Sequence, residues 1–285
     1  ANDVDGLREL VARHQALLTW RSDTPTEDGA TLLGFATSAF GDAGDPFREE
    51  HFTRYACAEL LLDAGAVVTP AVCEGLLRSR ARKLLELFHR HGLLPPTLNT
   101  LVALGDLEGV RARLATQQDD RAAVNQAFLF ACHYESRPIA ELLLGPGQPT
   151  GLLEFFLTHR PNVHEPEPLE LREAWVRQRI LLATGEGDVS TLTHLLRENE
   201  ALLGVDQRKF QIAMIEQAAL SGRADALAAF LALRPAILRN PTGPGRAYVH
   251  AFTYRHLRML PLLQRIWPLP DDLPHAAGAG DLARV

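Results

Sequence analysis

Gly105-Asp106-Leu107-Glu108-Gly109-Val110 is one member of a short phrase that returns through the chain. It reappears as Gly187-Asp188-Val189, as Gly222-Arg223-Ala224-Asp225-Ala226-Leu227, and as Gly280-Asp281-Leu282-Ala283-Arg284-Val285. Most copies follow small apolar residues, such as Gln217-Ala218-Ala219-Leu220-Ser221 or Pro274-His275-Ala276-Ala277. Each complete copy leads into an amphipathic segment, such as Val110 with Leu114, or Leu227 with Phe230 and Leu231. Apolar residues at three- and four-residue spacing predict helices on both sides of the phrase. The Gly-Asp step supplies a tight turn and then an acidic residue for the start of the second helix.

Degenerate copies fill the gaps. Ala131 through Glu135 leads into Ile139–Leu144, and Ala251 through Arg255 leads into Leu257–Leu263. Leu76–Arg80 leads into Lys83–Phe88, and Ala36–Phe40 pairs with Ala56–Leu62 across an inserted Gly41–Arg54 loop. The intervals fit units of roughly 30–35 residues with insertions, and no stretch sustains the period-two alternation of a strand. The predicted fold is all-α, a row of stacked helical hairpins forming a single array over residues 1–285. Asn2-Asp3-Val4-Asp5-Gly6-Leu7 aligns with Gly105–Val110, so the array opens inside one repeat and stops inside another. Capping repeats are missing at both ends, which predicts a fragment of a longer protein.

The 285 residues are 46% apolar and 22% charged, enough buried surface for a folded chain rather than a disordered one. Net charge is −6, and the arginines read as interleaved with acidic residues, which argues against a nucleic-acid partner. No apolar run reaches the ~18–20 residues of a membrane span. Cys57, Cys73 and Cys132 show no metal spacing, and their odd number argues against a disulfide framework. Buried reduced thiols in a cytoplasmic protein are the expectation.

At these residues the chain resembles the ankyrin repeat family, and among its members the divergent bacterial ones. The family pattern is a finger turn, a Thr-Pro-Leu-His helix start, Ala-Ala, two variable residues, Gly-His or Gly-Asp, then a Leu-Leu-Leu helix ending in Gly-Ala. Asp28-Gly29-Ala30-Thr31-Leu32-Leu33 and Ala58-Glu59-Leu60-Leu61-Leu62-Asp63-Ala64-Gly65-Ala66 carry the best local match, and about eight complete or partial units cover nearly the whole chain. Gly34 stands where the helix-start His belongs, and Gly145-Pro146-Gly147 and Pro241–Pro244 replace fingers. The resemblance implies a binding module with a concave groove and no covalent chemistry. It places the two variable residues of each unit in that groove: Ser38-Ala39, His133-Tyr134, Gly185-Glu186, Leu220-Ser221, Thr253-Tyr254 and Gly278-Ala279. His133, Tyr134, Glu186, Thr253 and Tyr254 are the candidate contacts for a protein or peptide partner. The first finger, Asp23 through Asp28, is expected as an acidic rim favouring a basic partner.

Catalytic and metal chemistry find little purchase. His89-Arg90-His91 reads as the cationic end of a helix before Gly92. His164-Glu165 lacks the second His of a zinc motif because Pro168 occupies its place. His133, His250, His256 and His275 recur near repeat junctions, where hydrogen bonding explains them. Glu165, Glu167, Glu170 and Asp271-Asp272 read as solvated loop charges. No nucleotide or nucleophile motif is present, and no cofactor or metal is expected. An enzyme or small-molecule binder stays open as the alternative, built on the His, Tyr, Trp and Arg residues from Tyr248 to His275 with Trp175 as a further contributor. A spacer between missing domains is a third possibility. Oligomeric state is not legible.

Overall fold

The computed structural model describes residues 3–21, 31–38, 49, 53–116, 118–145, 151–161, 163, 170–239, 241, 243 and 246–269. Among the described residues every regular element is a helix, joined by turns and loops, and an isolated antiparallel bridge links Arg21 and Thr31. The chain divides into two compact units, Ala1–Leu171 and Arg172–Val285. The first finger, the closing repeat at Gly280, His164, Asp271-Asp272 and Gly278-Ala279 lie outside the described residues.

The first unit contains α1 (Val4–Arg13), α2 (Leu32–Thr37), α3 (Tyr55–Asp63), α4 (Pro70–Ser79) and α5 (Arg82–Arg90). It continues with α6 (Leu98–Leu104), α7 (Leu107–Ala115), α8 (Arg121–His133), α9 (Arg137–Leu144) and α10 (Leu152–Thr158). Within hairpins α2 packs on α3, α4 on α5, α6 on α7 and α8 on α9. Between hairpins like packs on like: α2, α4, α6 and α8 in succession, and α1 on α3, α3 on α5, α7 on α9. α10 has no counterpart in the sequence reading. It packs on α8 and α9, with Phe156 edge-on to Phe128 at 6.0 Å between ring centres.

The second unit contains α11 (Leu171–Glu186), α12 (Val189–Glu198), α13 (Arg208–Ser221), α14 (Ala224–Ala232), α15 (Ala247–Thr253) and α16 (Leu260–Leu263). Here α13 packs on α14 and α15, α12 on α14, and α14 on α16. One core runs through it from Val176 and Ile180 through Phe210, Met214 and Phe230 to Tyr248, Ile266 and Trp267.

The phrase that opened the sequence reading is a backbone structure. Arg80, Gly105, Glu135, Gly187, Gly222 and Arg255 all have left-handed φ, from 57° to 78°. The next residues, Ala81, Asp106, Ser136, Asp188 and Arg223, share φ between −74° and −88° and ψ between 75° and 87°. Across five of these turns the following N–H donates to the carbonyl five residues back: Asp106 to Leu101, Ser136 to Ala131, Asp188 to Ala183, Arg223 to Ala218 and His256 to Ala251, at 2.8–2.9 Å. This closure uses carbonyls that a helix end leaves unpaired, so a left-handed residue suffices to form it even where glycine is absent. The degenerate copies at Glu135 and Arg255 therefore turn as the Gly-Asp copies do, while at Arg80 the Ala81 N–H donates to Ser79 Oγ at 3.2 Å instead.

Aspartate adds a cap where it is present. Asp106 Oδ1 accepts the Gly109 N–H at 2.8 Å, and Asp188 Oδ1 accepts the Thr191 N–H at 3.0 Å. The Thr191 hydroxyl and N–H hold the Asp188 carboxyl below its usual range. Asp3 has nearly the same φ and ψ and accepts from Gly6 N at 2.9 Å, the cap that Asp106 makes on Gly109.

Candidate binding edge

Three successive first helices of the second unit, α11, α13 and α15, end in the variable pairs marked by the sequence. Gly185-Glu186 closes α11, Leu220-Ser221 closes α13, and Thr253-Tyr254 closes α15. Glu186, Leu220, Thr253 and Tyr254 are exposed, Tyr254 to 53%. Side-chain contacts tie the neighbouring ends together. Gln217 Nε2 lies over Gly185 and donates to Ser221 Oγ at 3.4 Å, while Arg223 Nε donates to the Gly185 carbonyl at 3.2 Å. The His256 ring lies against Gly222, its Nδ1 2.6 Å from where a Cβ would stand. Tyr254 is near-parallel to His256 at 6.2 Å and tilted against His250 at 6.3 Å. The result is a continuous edge of mixed apolar, aromatic and charged side chains.

The first unit departs from expectation. Tyr134 shares the register of Tyr254 but is only 3% exposed. Its hydroxyl donates to the Leu77 carbonyl at 2.6 Å, and burial pushes its phenol well above the usual range, against the charges of Arg80 and Arg82. Neighbouring His133 is half-buried, with Nε2 3.1 Å from the Arg78 carbonyl. Ser79 Oγ donates to the Leu76 carbonyl at 2.8 Å. Carbonyls 76, 77 and 78 belong to the last turn of α4 and have no partner further along that helix. His133 and Tyr134 reach from the end of α8 to satisfy two of them. Tyr134 is therefore a structural tie, and its assignment as a groove contact is corrected; His133 is committed to the same cap.

The alternative reading loses one of its aromatic rings in the same way. Tyr248 is buried, and its hydroxyl donates to the Trp267 carbonyl at 2.9 Å. Trp175 is half-buried, with the Arg179 guanidinium 4.7 Å from its ring centre. A cavity of about 350 Å³ lies in the first unit against Arg82, Glu86, Gly105, Tyr134, Glu135 and Ser136. Among the described residues no three His, Cys, Asp or Glu side chains gather into a metal site. Cys57, Cys73 and Cys132 are buried and unbridged, and burial pushes the Cys132 thiol up to about 12.

No family model, curated protein or solved structure matches this chain. Its candidate residues therefore stand on geometry alone. His89 and Arg90 do sit in the last turn of α5 before Gly92, the place a cation suits the helix dipole. No described helix is long and apolar enough to cross a membrane.

Proposed function

We propose that this chain is an ankyrin-like helical-hairpin array that binds a protein partner through the exposed ends of its first helices. Glu186, Leu220, Thr253 and Tyr254 would be the contacts, acting by packing and electrostatics with no covalent step. The observation that carries the reading is the alignment of these exposed residues at one repeat position on α11, α13 and α15.

Two further features support the ankyrin comparison. The Arg21–Thr31 bridge stands at the base of the first finger. α2, α4 and α6 each begin at a threonine, and Thr31, Thr69 and Thr97 Oγ1 accept the N–H of Gly34, Val72 and Thr100. That is the task a helix-start Thr performs in Thr-Pro-Leu-His. Buried unbridged cysteines support a reducing, cytoplasmic setting.

The test is capture of partners from lysate by the wild-type chain and by a Leu220→Ala, Tyr254→Ala double variant. Both side chains are exposed, so the variant keeps its melting temperature. A protein retained by wild type and weakened about tenfold or more in the variant supports the edge. Equal retention by both chains, or retention by neither, overturns it.

A further inference from the structure

The interleaving of charges read from the sequence fails in one place. Between Asp225 and Asp271 there is no acidic residue, while six arginines fall there: Arg234, Arg239, Arg246, Arg255, Arg258 and Arg265. All six are exposed, and among the described residues none of their guanidinium groups makes an ion pair or hydrogen bond. Elsewhere arginines pair readily, as Arg113 does with Asp119 and Arg137 with Glu154. A chain with net charge −6 thus gathers six exposed arginines into the stretch from Arg234 to Arg265, two of them in the turn between α15 and α16.

The charge is densest at the turn Tyr254-Arg255-His256-Leu257-Arg258. In earlier copies the residue after the left-handed position is Ala81, Asp106, Ser136, Asp188 or Arg223, and three places beyond the left-handed residue stand Lys83, Glu108, Pro138, Ser190 and Asp225. Here those places hold His256 and Arg258, with no acid at either, whereas the Gly105 copy has Asp106 and Glu108 there. Arg255 itself occupies the left-handed position, where Gly105, Gly187 and Gly222 sit without steric cost. Arg80 and Glu135, the other charged residues at this position, pair with each other at 3.5 Å; Arg255 has no such return. The turn is held in place by His256 against Gly222 and by the His256 N–H on the Ala251 carbonyl at 2.8 Å. Leu257, 53% exposed, stands between the two arginines, and Val249 is exposed on α15.

The geometry points to an acidic polypeptide segment with interspersed apolar side chains as the partner of this turn. It rests on the protein-binding reading above and adds the chemistry of the partner. Carboxylates match the guanidinium groups of Arg255 and Arg258, and unpaired arginines give both steering and bidentate recognition. Exposed Leu257 and Val249 favour a chain with aliphatic side chains over a nucleic-acid backbone, which has none to offer them.

A fluorescein-labelled peptide of repeating Glu-Glu-Leu, its Gln-Gln-Leu counterpart and oligothymidylate are titrated into the full chain and into an Arg255→Glu, Arg258→Glu variant. Arg258→Glu restores an acid near the position held by Glu108 and Asp225, so folding survives; circular dichroism checks it. The acidic peptide should bind wild type about tenfold or more tightly than the Gln peptide, weaken as salt rises, and lose about tenfold or more in the variant. Equal affinity for the two peptides, unchanged binding in the variant, or tighter binding of oligothymidylate overturns the assignment. If lysate capture still depends on Leu220 and Tyr254 while the arginine variant captures normally, the acidic-partner assignment fails and the protein-binding reading stands.

Discussion

Tyr134 and Tyr254 occupy one repeat position and nearly one backbone conformation, with φ −83° and −96° and ψ 2° and 6°. One is a buried tie and the other an exposed contact, because only Tyr134 has an orphaned carbonyl, that of Leu77, within reach. Tyr134→Phe keeps the ring and removes the donor, leaving that carbonyl buried and unpaired. The expected loss is about 1–3 kcal/mol of unfolding free energy in urea titration, with an unchanged denaturant slope. The same residue sets an alkaline limit. Its folded form holds the phenol proton above the ordinary pKa near 10, so stability owes nothing to this ionisation below that pH and falls as pH rises past it. The Phe variant should lack this share of the decline.

Helix ends carry much of the organisation. Glu49, buried within the inserted segment, accepts the N–H groups of Lys83 at 3.0 Å and Leu84 at 3.3 Å, and so caps the start of α5. Burial raises its carboxyl pKa against those lowering hydrogen bonds. At helix C-terminal ends, glycine has two separable reasons. Gly65 and Gly222 both have positive φ, but a Cβ on Gly65 meets nothing within 4 Å, whereas on Gly222 it meets the His256 ring. Gly65→Ala should cost the left-handed penalty of about 1–2 kcal/mol. Gly222→Ala should cost more, because the His256 ring must also move. Melting temperatures of the two variants check the order; an equal drop would remove His256 from the account.

Over the molecule, all three cysteines lie in the first unit and all are buried, with pKa values raised by burial. A thiol reacts as thiolate and only when reached by reagent. At neutral pH the native chain should react slowly with Ellman's reagent at all three sites, at a rate following the opening of the first unit, and fully once unfolded in urea. Rapid stoichiometric reaction of any one cysteine in the native chain would contradict its burial. Charge is likewise unevenly spread at this scale, since the residues between Asp225 and Asp271 carry six arginines and no acid.

The hairpin turns were legible in the sequence by itself, including the copies at Arg80, Glu135 and Arg255 that lack Gly-Asp. Those at Gly105, Glu135, Gly187, Gly222 and Arg255 are closed by a hydrogen bond spanning five residues, and at Arg80 the Ala81 N–H turns to Ser79 Oγ, so nearby residues suffice to determine them. Helical character was legible for the same reason, because apolar spacing of three and four describes one helix face. Partnering was not legible. α10 lay unassigned in a short, mostly apolar stretch, Leu152 to Leu157, whose packing face is set by α8 and α9. The cap of α5 comes from Glu49, and the carbonyls of α4 are met by His133 and Tyr134, all remote in sequence. Burial of one tyrosine and exposure of its repeat equivalent were decided only by tertiary structure, because a side chain's solvent contact depends on which distant element arrives beside it.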